Sequence, residues 1–382
     1  MLWAVATLGH ADTSFVAALT TAAQPKLRGF NAQAISNTLW AVATLRHVDP
    51  SFTSALLATA HPRLHDFSEQ ALANIMWAMA TLGHLDATFT SALLSAAQQP
   101  KLHHFNPQAT VSMLWALAKM GHVDPSFIAA LLSAADPKLP EVTCQGLSTM
   151  AWALAILDHR DTPSLRTVLR HLARLRHELI PEQELQLFQF FLHLKDRGLP
   201  HGDEPPHLQQ LFGGGPPHLQ QLPRSDESAH LQQLFLRCQT SWLRVLKVSQ
   251  CASSSSFQDE VLVACCQQPG WQVLGGEHPT EDGLFSIDIA MVQQGEVSSR
   301  VSRKSCDGSA RKQVAVEADG PTHFSSNSPA VVLGDTLARN RFLTHRGWRV
   351  LSVPWFEWRS LGDDEQRVAY MGQRLLQVLN ST

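Results

Sequence analysis

Between Glu69 and His84 the apolar side chains Leu72, Ile75, Met76, Met79 and Leu82 recur at helical spacing, and Gln70, Ala73, Trp77, Ala80 and His84 form a second stripe. A helix apolar over most of its circumference is buried on several sides, which predicts a helix packed between neighbours. The pattern itself recurs. WAVATLGH at 3–10 returns as WAVATLRH (40–47), WAMATLGH (77–84), WALAKMGH (115–122) and WALAILDH (152–159). The tryptophans Trp3, Trp40, Trp77, Trp115 and Trp152 are separated by 37, 37, 38 and 37 residues. Self-similarity at this period predicts an α-solenoid of roughly 37-residue helical hairpins.

Polar residues punctuate each unit. Asp12, Asp49, Asp86 and Asp124 precede runs such as PSFTSALLATA, where an aspartate caps the helix and Pro50 or Pro125 fits the first turn. Asn31, Ser68, Asn106 and Thr143, each with glutamine two residues on, are expected to cap the second, Trp-bearing helix. The recurring His10, His47, His84, His122 and His159 fall where that helix ends, so they are expected to satisfy free carbonyls and the helix dipole rather than a metal.

Two stripes of the Trp helix separate core from candidate chemistry. The Trp stripe is expected to pack in the core. A third stripe, Ala71, Asn74, Ala78 and Thr81, is small and partly polar, and its counterparts are Asn37/Ala41/Thr44, Ser112/Ala116/Lys119 and Thr149/Ala153/Ile156. One hydrogen-bonding side chain per repeat, varying in identity, is what a one-base-per-repeat reader uses. Short polar residues also let neighbouring helices approach, so both readings stand at this point. Residues 161–198 stay helical and lose the motif, as divergent or terminal repeats would.

Beyond residue 198 the pattern changes. Residues 199–229 are Pro- and Gly-rich and repeat HLQQL, the composition of a flexible linker. Over 230–382 the periodicities alternate. They predict helices near 257–267, 334–346 and 363–379, and strands near 271–275, 284–292, 312–319 and 348–353, a mixed α/β domain. The polar stretch 294–311 carries Arg300, Arg303, Lys304 and Arg311 against Glu296 and Asp307. It suits either phosphate contact or a mobile loop.

Composition narrows the classes. The 382-residue chain is 44% hydrophobic and 16% charged, with net charge −3 and pI near 6.7, which opposes both disorder and a bulk nucleic-acid coat. Residues 1–160 hold 8 Lys/Arg and 9 Asp/Glu, a balance that keeps a protein–protein scaffold in view. The six cysteines form no CxxC pair and no zinc spacing. No apolar run is long enough for a membrane span. The chain opens inside a repeat, so an upstream part with any targeting segment is expected to be missing.

VEADGPTHF (316–324), GDTLARNRFL (334–343) and GWRVLSVPWFEW (347–358) together resemble the RAP domain, over about 314–376. Units such as FSEQALANIMWAMATLGHLD (67–86) resemble octotricopeptide repeats of green-algal organelle proteins. The resemblance implies a sequence-selective protein, monomeric and free of membrane, that binds single-stranded RNA in chloroplast or mitochondrion. It would act there in transcript stability, processing, splicing or translation, within a ribonucleoprotein complex. Candidate RNA contacts are Asn37, Thr44, Asn74, Thr81, Ser112, Lys119, Thr149, Arg339 and Arg341. RAP modules are also similar to the restriction-endonuclease-like fold, in which carboxylates hold a divalent metal that activates water. That resemblance implies metal ligands Glu260, Asp288 and Glu317, with catalytic roles for Asp288, Glu317, Asp319 and His323 and Mg²⁺ or Mn²⁺ as cofactor. Asp335 and Arg339 would lie nearby. Asp319 stands where the fold's lysine is expected, and Asp319-Gly320-Pro321 is also good turn chemistry. An RNA endonuclease guided by its repeats is thus the alternative to binding alone.

Overall fold

The computed structural model describes residues 1–9, 12–98, 101–174, 179–197, 226–249, 255–294 and 313–380. The linker 199–225, the basic stretch 295–312 and His10 lie outside the described residues. Two compact units divide the chain. Met1–Gln239 with Phe324–Ala338 form the first, and Thr240–His323 with Arg339–Thr382 form the second. The division falls inside a helix, Asp226–Ser249, rather than at the expected 229/230 boundary.

In the first unit the hairpins pair α1 (Leu2–Thr7) and α2 (Thr13–Ala23), α3 (Ala32–Thr44) and α4 (Pro50–Ala60), α5 (Glu69–Leu82) and α6 (Ala87–Ala97), and α7 (Pro107–Met120) and α8 (Pro125–Ala135). They continue through α9 (Cys144–Ile156), α10 (Thr162–Arg174) and α11 (Pro181–Arg197). The Trp-bearing helices α1, α3, α5, α7 and α9 pack each against the next, and α11 packs on α9. Alanines make that approach close. Ala41, Ala78, Ala116 and Ala153 are completely buried, so these members of the small-residue stripe face neighbouring helices.

The caps form as the sequence predicts. Asp12, Asp49, Asp86 and Asp124 accept from backbone N–H groups at the starts of α2, α4, α6 and α8. Asn31, Ser68, Asn106 and Thr143 do the same for α3, α5, α7 and α9. At the other end the histidine's backbone, not its side chain, closes the helix. The N–H of His47, His84, His122 and His159 reaches back to Val42, Met79, Leu117 and Leu154, the six-to-one bond of a Schellman ending. That turn needs a left-handed residue, which is Gly83 at φ +64 and Gly121 at φ +65. Arg46 and Asp158 hold φ 52 without glycine's freedom. The His84 and His159 rings are buried.

Residues Phe324–Ala338 lie on two of these turns within the first unit. Ser325 and Ser326 hydroxyls donate to Gly83 and Leu82 carbonyls, and Asn327 brackets the Leu85 backbone through both its amide atoms. Gly334 sits so close to α7 that a Cβ there would come 1.8 Å from the Ala118 carbonyl oxygen.

The second unit follows with α12 (Asp226–Ser249) leading into it, α13 (Ser256–Cys266), β1 (Trp271–Pro279), β2 (Ser286–Gln293) and β3 (Gln313–Asp319). Then come α14 (Gly334–His345), β4 (Arg349–Pro354), α15 (Trp355–Arg359) and α16 (Asp364–Asn380). The sheet order is β1-β2-β3-β4, antiparallel for the first two pairings and parallel for the third. The parallel pair is joined by the crossover helix α14, as such pairs require. One face carries the core of Val261, Ile289, Met291, Val316, Leu351 and Trp358. Strand alternation sends the intervening residues to the other face.

Candidate functional site

That other face gathers most of the acidic candidates. Register Ile289↔Val316 sets Asp288 beside Glu317, and Glu317 pairs with Ser352 on β4. Asp288 Oδ2 accepts from the Ala318 N–H at 2.9 Å. Asp319 accepts from the Ser352 hydroxyl and lies 3.3 Å from His323 Nδ1. Asp288, Glu317, Asp319 and His323 are therefore brought together.

The centre of the cluster is a cation of the chain itself. Arg339 Nη2 on α14 lies 2.5 Å from Glu317 Oε2 and 3.4 Å from Asp288 Oδ1, and donates to the Ser286 carbonyl. Burial pushes the fully enclosed Glu317 carboxyl well above the usual carboxylate range. Arg339 pulls it back only in part, and Asp288 and Asp319 add to the rise. Asp319 is raised by burial as well, against the Ser352 hydrogen bond and the charges of His323 and Arg339. Burial opposes the charge of Arg339, yet the three surrounding acids outweigh it and raise its pKa.

The expected metal ligand set does not form. Glu260 on α13 accepts from Trp358 Nε1 at 2.9 Å and pairs with Arg367 at 3.2 Å, so it is committed elsewhere. Asp335 pairs with Lys119 in the first unit rather than joining the cluster. Among the described residues no three His, Cys, Asp or Glu side chains are grouped to hold a metal ion. With a guanidinium bridging Asp288 and Glu317, the donor set does not fit Mg²⁺ or Mn²⁺. Arg339, expected to contact RNA, is engaged by this cluster. Arg341 lies with its guanidinium 5.5 Å from the Phe342 ring centre.

On the first unit, the exposed side of the Trp helices differs from the expectation. Trp40, Trp77 and Trp115 are half-buried and Trp3 is 50% exposed; only Trp152 is in the core. The ring lies seven residues after Gln70 and three after Asn74, which places Gln70, Asn74, Trp77 and Thr81 on one helical face. The contact between helices is filled by Ala41, Ala78 and Ala116, and the neighbouring indoles Trp40, Trp77 and Trp115 keep part of their surface exposed. Of the predicted RNA contacts, Asn37, Asn74 and Ser112 are half-buried and Thr44 and Thr81 exposed on this face. Thr149 is buried and bonded by Gln145, and Lys119 is taken by Asp335.

The polar members of the face are wired across repeats. Gln70 Nε2 donates to Asn74 Oδ1 at 2.9 Å while its Oε1 accepts from Asn106 Nδ2 at 3.2 Å. Gln145 is bonded in the same way to Thr149 at 3.1 Å and to Gln183 at 3.0 Å. Along the edge runs a row of cations missed above. Arg63 donates to the Phe30 carbonyl, Lys101 to His65 and Phe67, and Lys138 to His103 and Phe105. Their signal was present as PKL, PRL, PKL and PKL at 25–27, 62–64, 100–102 and 137–139, in step with the tryptophans.

Two family models match separate segments of the chain. The family model described as the Tbc2 translation factor, N-terminal domain matches residues 42–180, and the RAP domain model matches residues 316–374. A protein named "RAP domain-containing protein, chloroplastic" from Oryza sativa subsp. japonica is 28% identical over 119 residues, which are 31% of this chain and 15% of that relative. The chain thus spans less than a fifth of that relative's length. The DGPTHF edge, the Arg339 helix and the parallel β4 strand all fall inside the second matched segment: residues 316–374 of this chain are a RAP domain.

Proposed function

We propose that this protein binds single-stranded organellar RNA with sequence selectivity and acts on transcript stability, processing, splicing or translation. In this reading the helical hairpins form a solenoid that reads bases, and the RAP domain, on an endonuclease-like fold, serves binding or support rather than hydrolysis. The observation that carries it is the outer face of the Trp helices, where Gln, then Asn, Ser or Thr, then Trp recur in register, and where Gln70 and Gln145 are each hydrogen-bonded to a residue of the following repeat. RAP domains are generally linked to RNA binding, and the rice relative's name places that protein in the chloroplast. Either organelle suits the reading, and so does a monomer within a ribonucleoprotein.

Crosslinking and sequencing of RNA bound to the full chain in its native organelle tests this. A short shared sequence among the bound transcripts is expected, with affinity falling as salt rises. Asn74→Ser should change the base preferred at one position of that sequence. An absence of RNA affinity even at low salt would hand the repeat face to a protein partner. The hydrolytic reading draws no support from a cluster whose charge Arg339 already engages.

A further inference from the structure

We infer that the half-buried tryptophans Trp40, Trp77 and Trp115 are base-stacking platforms, and that Arg63, Lys101 and Lys138 form the track for the phosphates of the same RNA strand. This rests on the RNA-binding reading above and assigns its two working surfaces.

The first observation is the indole row. Trp77 and Trp115 of successive repeats have ring centres 6.4 Å apart at an interplanar angle of 31°. Stacked nucleotides rise about 3.4 Å per residue along one strand. A strand advancing one nucleotide per indole is therefore stretched to nearly twice that rise. Its bases cannot stack on one another, and each meets an indole face instead. Stacking on aromatic side chains tolerates any base. The amides and hydroxyls beside each ring, Asn74 and its counterparts, are then what distinguishes the base edge. A duplex, whose bases are stacked already, does not fit this spacing.

The second observation is charge in the same register. Arg63, Lys101 and Lys138 recur at 38 and 37 residues, as do Trp77, Trp115 and Trp152. Lys101 holds the Phe67 carbonyl at 2.7 Å, one residue before the cap of α5, and Lys138 holds that of Phe105 at 2.7 Å before the cap of α7. Each ammonium has three donors and gives two to carbonyls of the preceding repeat. The remaining donor and the charge, fixed in place, line the edge beside Gln70 and Asn106 where the polar ladder begins. One positive charge per repeat at the starts of the Trp helices, and one aromatic ring per repeat further along the same helices, recur in one register, as phosphates and bases do along a strand.

The test uses the full chain and fluorescein-labelled oligouridylate and oligoadenylate. Either RNA should quench indole emission of the wild type. Trp77→Ala and Trp115→Ala should each weaken binding about 5- to 150-fold, with Asn74-dependent base preference kept by Trp77→Phe. Lys101→Gln with Lys138→Gln should reduce the slope of log affinity against log salt by about 1.4, near 0.7 for each phosphate contact. Unfolding midpoints of the variants, with Trp77→Phe as the packing control, separate lost stacking from lost fold. If wild type and Trp77→Ala bind alike and emission is unquenched, the stacking role is wrong while RNA reading stands. If the wild type binds neither these RNAs nor organellar transcripts, both fall.

Discussion

Arg339 shows how one side chain decides what an acidic cluster can do. Its guanidinium sits between Asp288 and the fully buried Glu317, which would otherwise face each other with Asp319 alongside. Removing one partner of a buried pair leaves an uncompensated charge and costs about 3–5 kcal/mol. Arg339→Met should therefore strongly destabilise the second unit in urea unfolding, and adding Glu317→Gln should restore part of the loss. The carboxyl also sets a pH dependence. Its folded pKa lies above the unfolded value near 4.5, so the folded state binds the proton more tightly. Stability from this group is present below that value and is lost as pH rises through the raised folded pKa. Glu317→Gln should flatten that decline when melting temperature is followed against pH. A Gln variant that declines as steeply as the wild type would place the effect elsewhere.

At the scale of the element, α3, α5, α7 and α9 each end in a left-handed turn closed by a backbone bond, and the turns are unequal. Arg46 holds φ 52 where Gly83 and Gly121 occupy the same place in their repeats. A side chain there costs about 1 kcal/mol, so Arg46→Gly should raise the unfolding midpoint by an amount of that order. The histidines one residue on, buried at His84 and His159 and half-buried at His122, act in the opposite direction on acidification. Burial lowers the pKa of His84, His122 and His159 below 6.5, more than Asp86, Asp124 and Asp161 raise it. The unfolded chain takes up protons first, so the repeats should lose stability as pH falls below about 6.5. Urea midpoints across that range check it, and His84→Gln should remove part of the loss. Caps and periods were legible in the sequence because aspartate, asparagine and proline act locally at helix ends. The side of the indole was not. Its hydropathy argues for burial, yet Trp40, Trp77 and Trp115 stay part-exposed and Trp152 is buried, a difference that no residue of the motif itself displays. Nor was the destination of α14 legible: Asp335 and Arg339 lie one turn apart, and the first pairs with Lys119 while the second enters the acid cluster.

At the scale of the whole chain, two parts were recognisable for different reasons. The repeats announce themselves by period, and the RAP domain by the order of three short motifs. The Arg339 bridge depends on strand register and a crossover helix, which no linear pattern displays. The division inside α12, and the membership of Phe324–Ala338 in the first unit, also arise only on folding. Gly334→Ala should dislodge that segment, since its Cβ would fall 1.8 Å from the Ala118 oxygen. Hydrogen exchange at Gly121 and His122 should then quicken, and unchanged protection would mean that the segment yields without leaving. The cross-repeat wiring carries a consequence for anyone rebuilding this chain. Gln70 is completed by Asn106, and the carbonyl of Phe67 by Lys101, so these positions are co-owned by two adjacent repeats. Exchanging a single repeat would rewrite two positions at once. A designer changing one such position would have to transplant the boundary between repeats instead of the repeat itself.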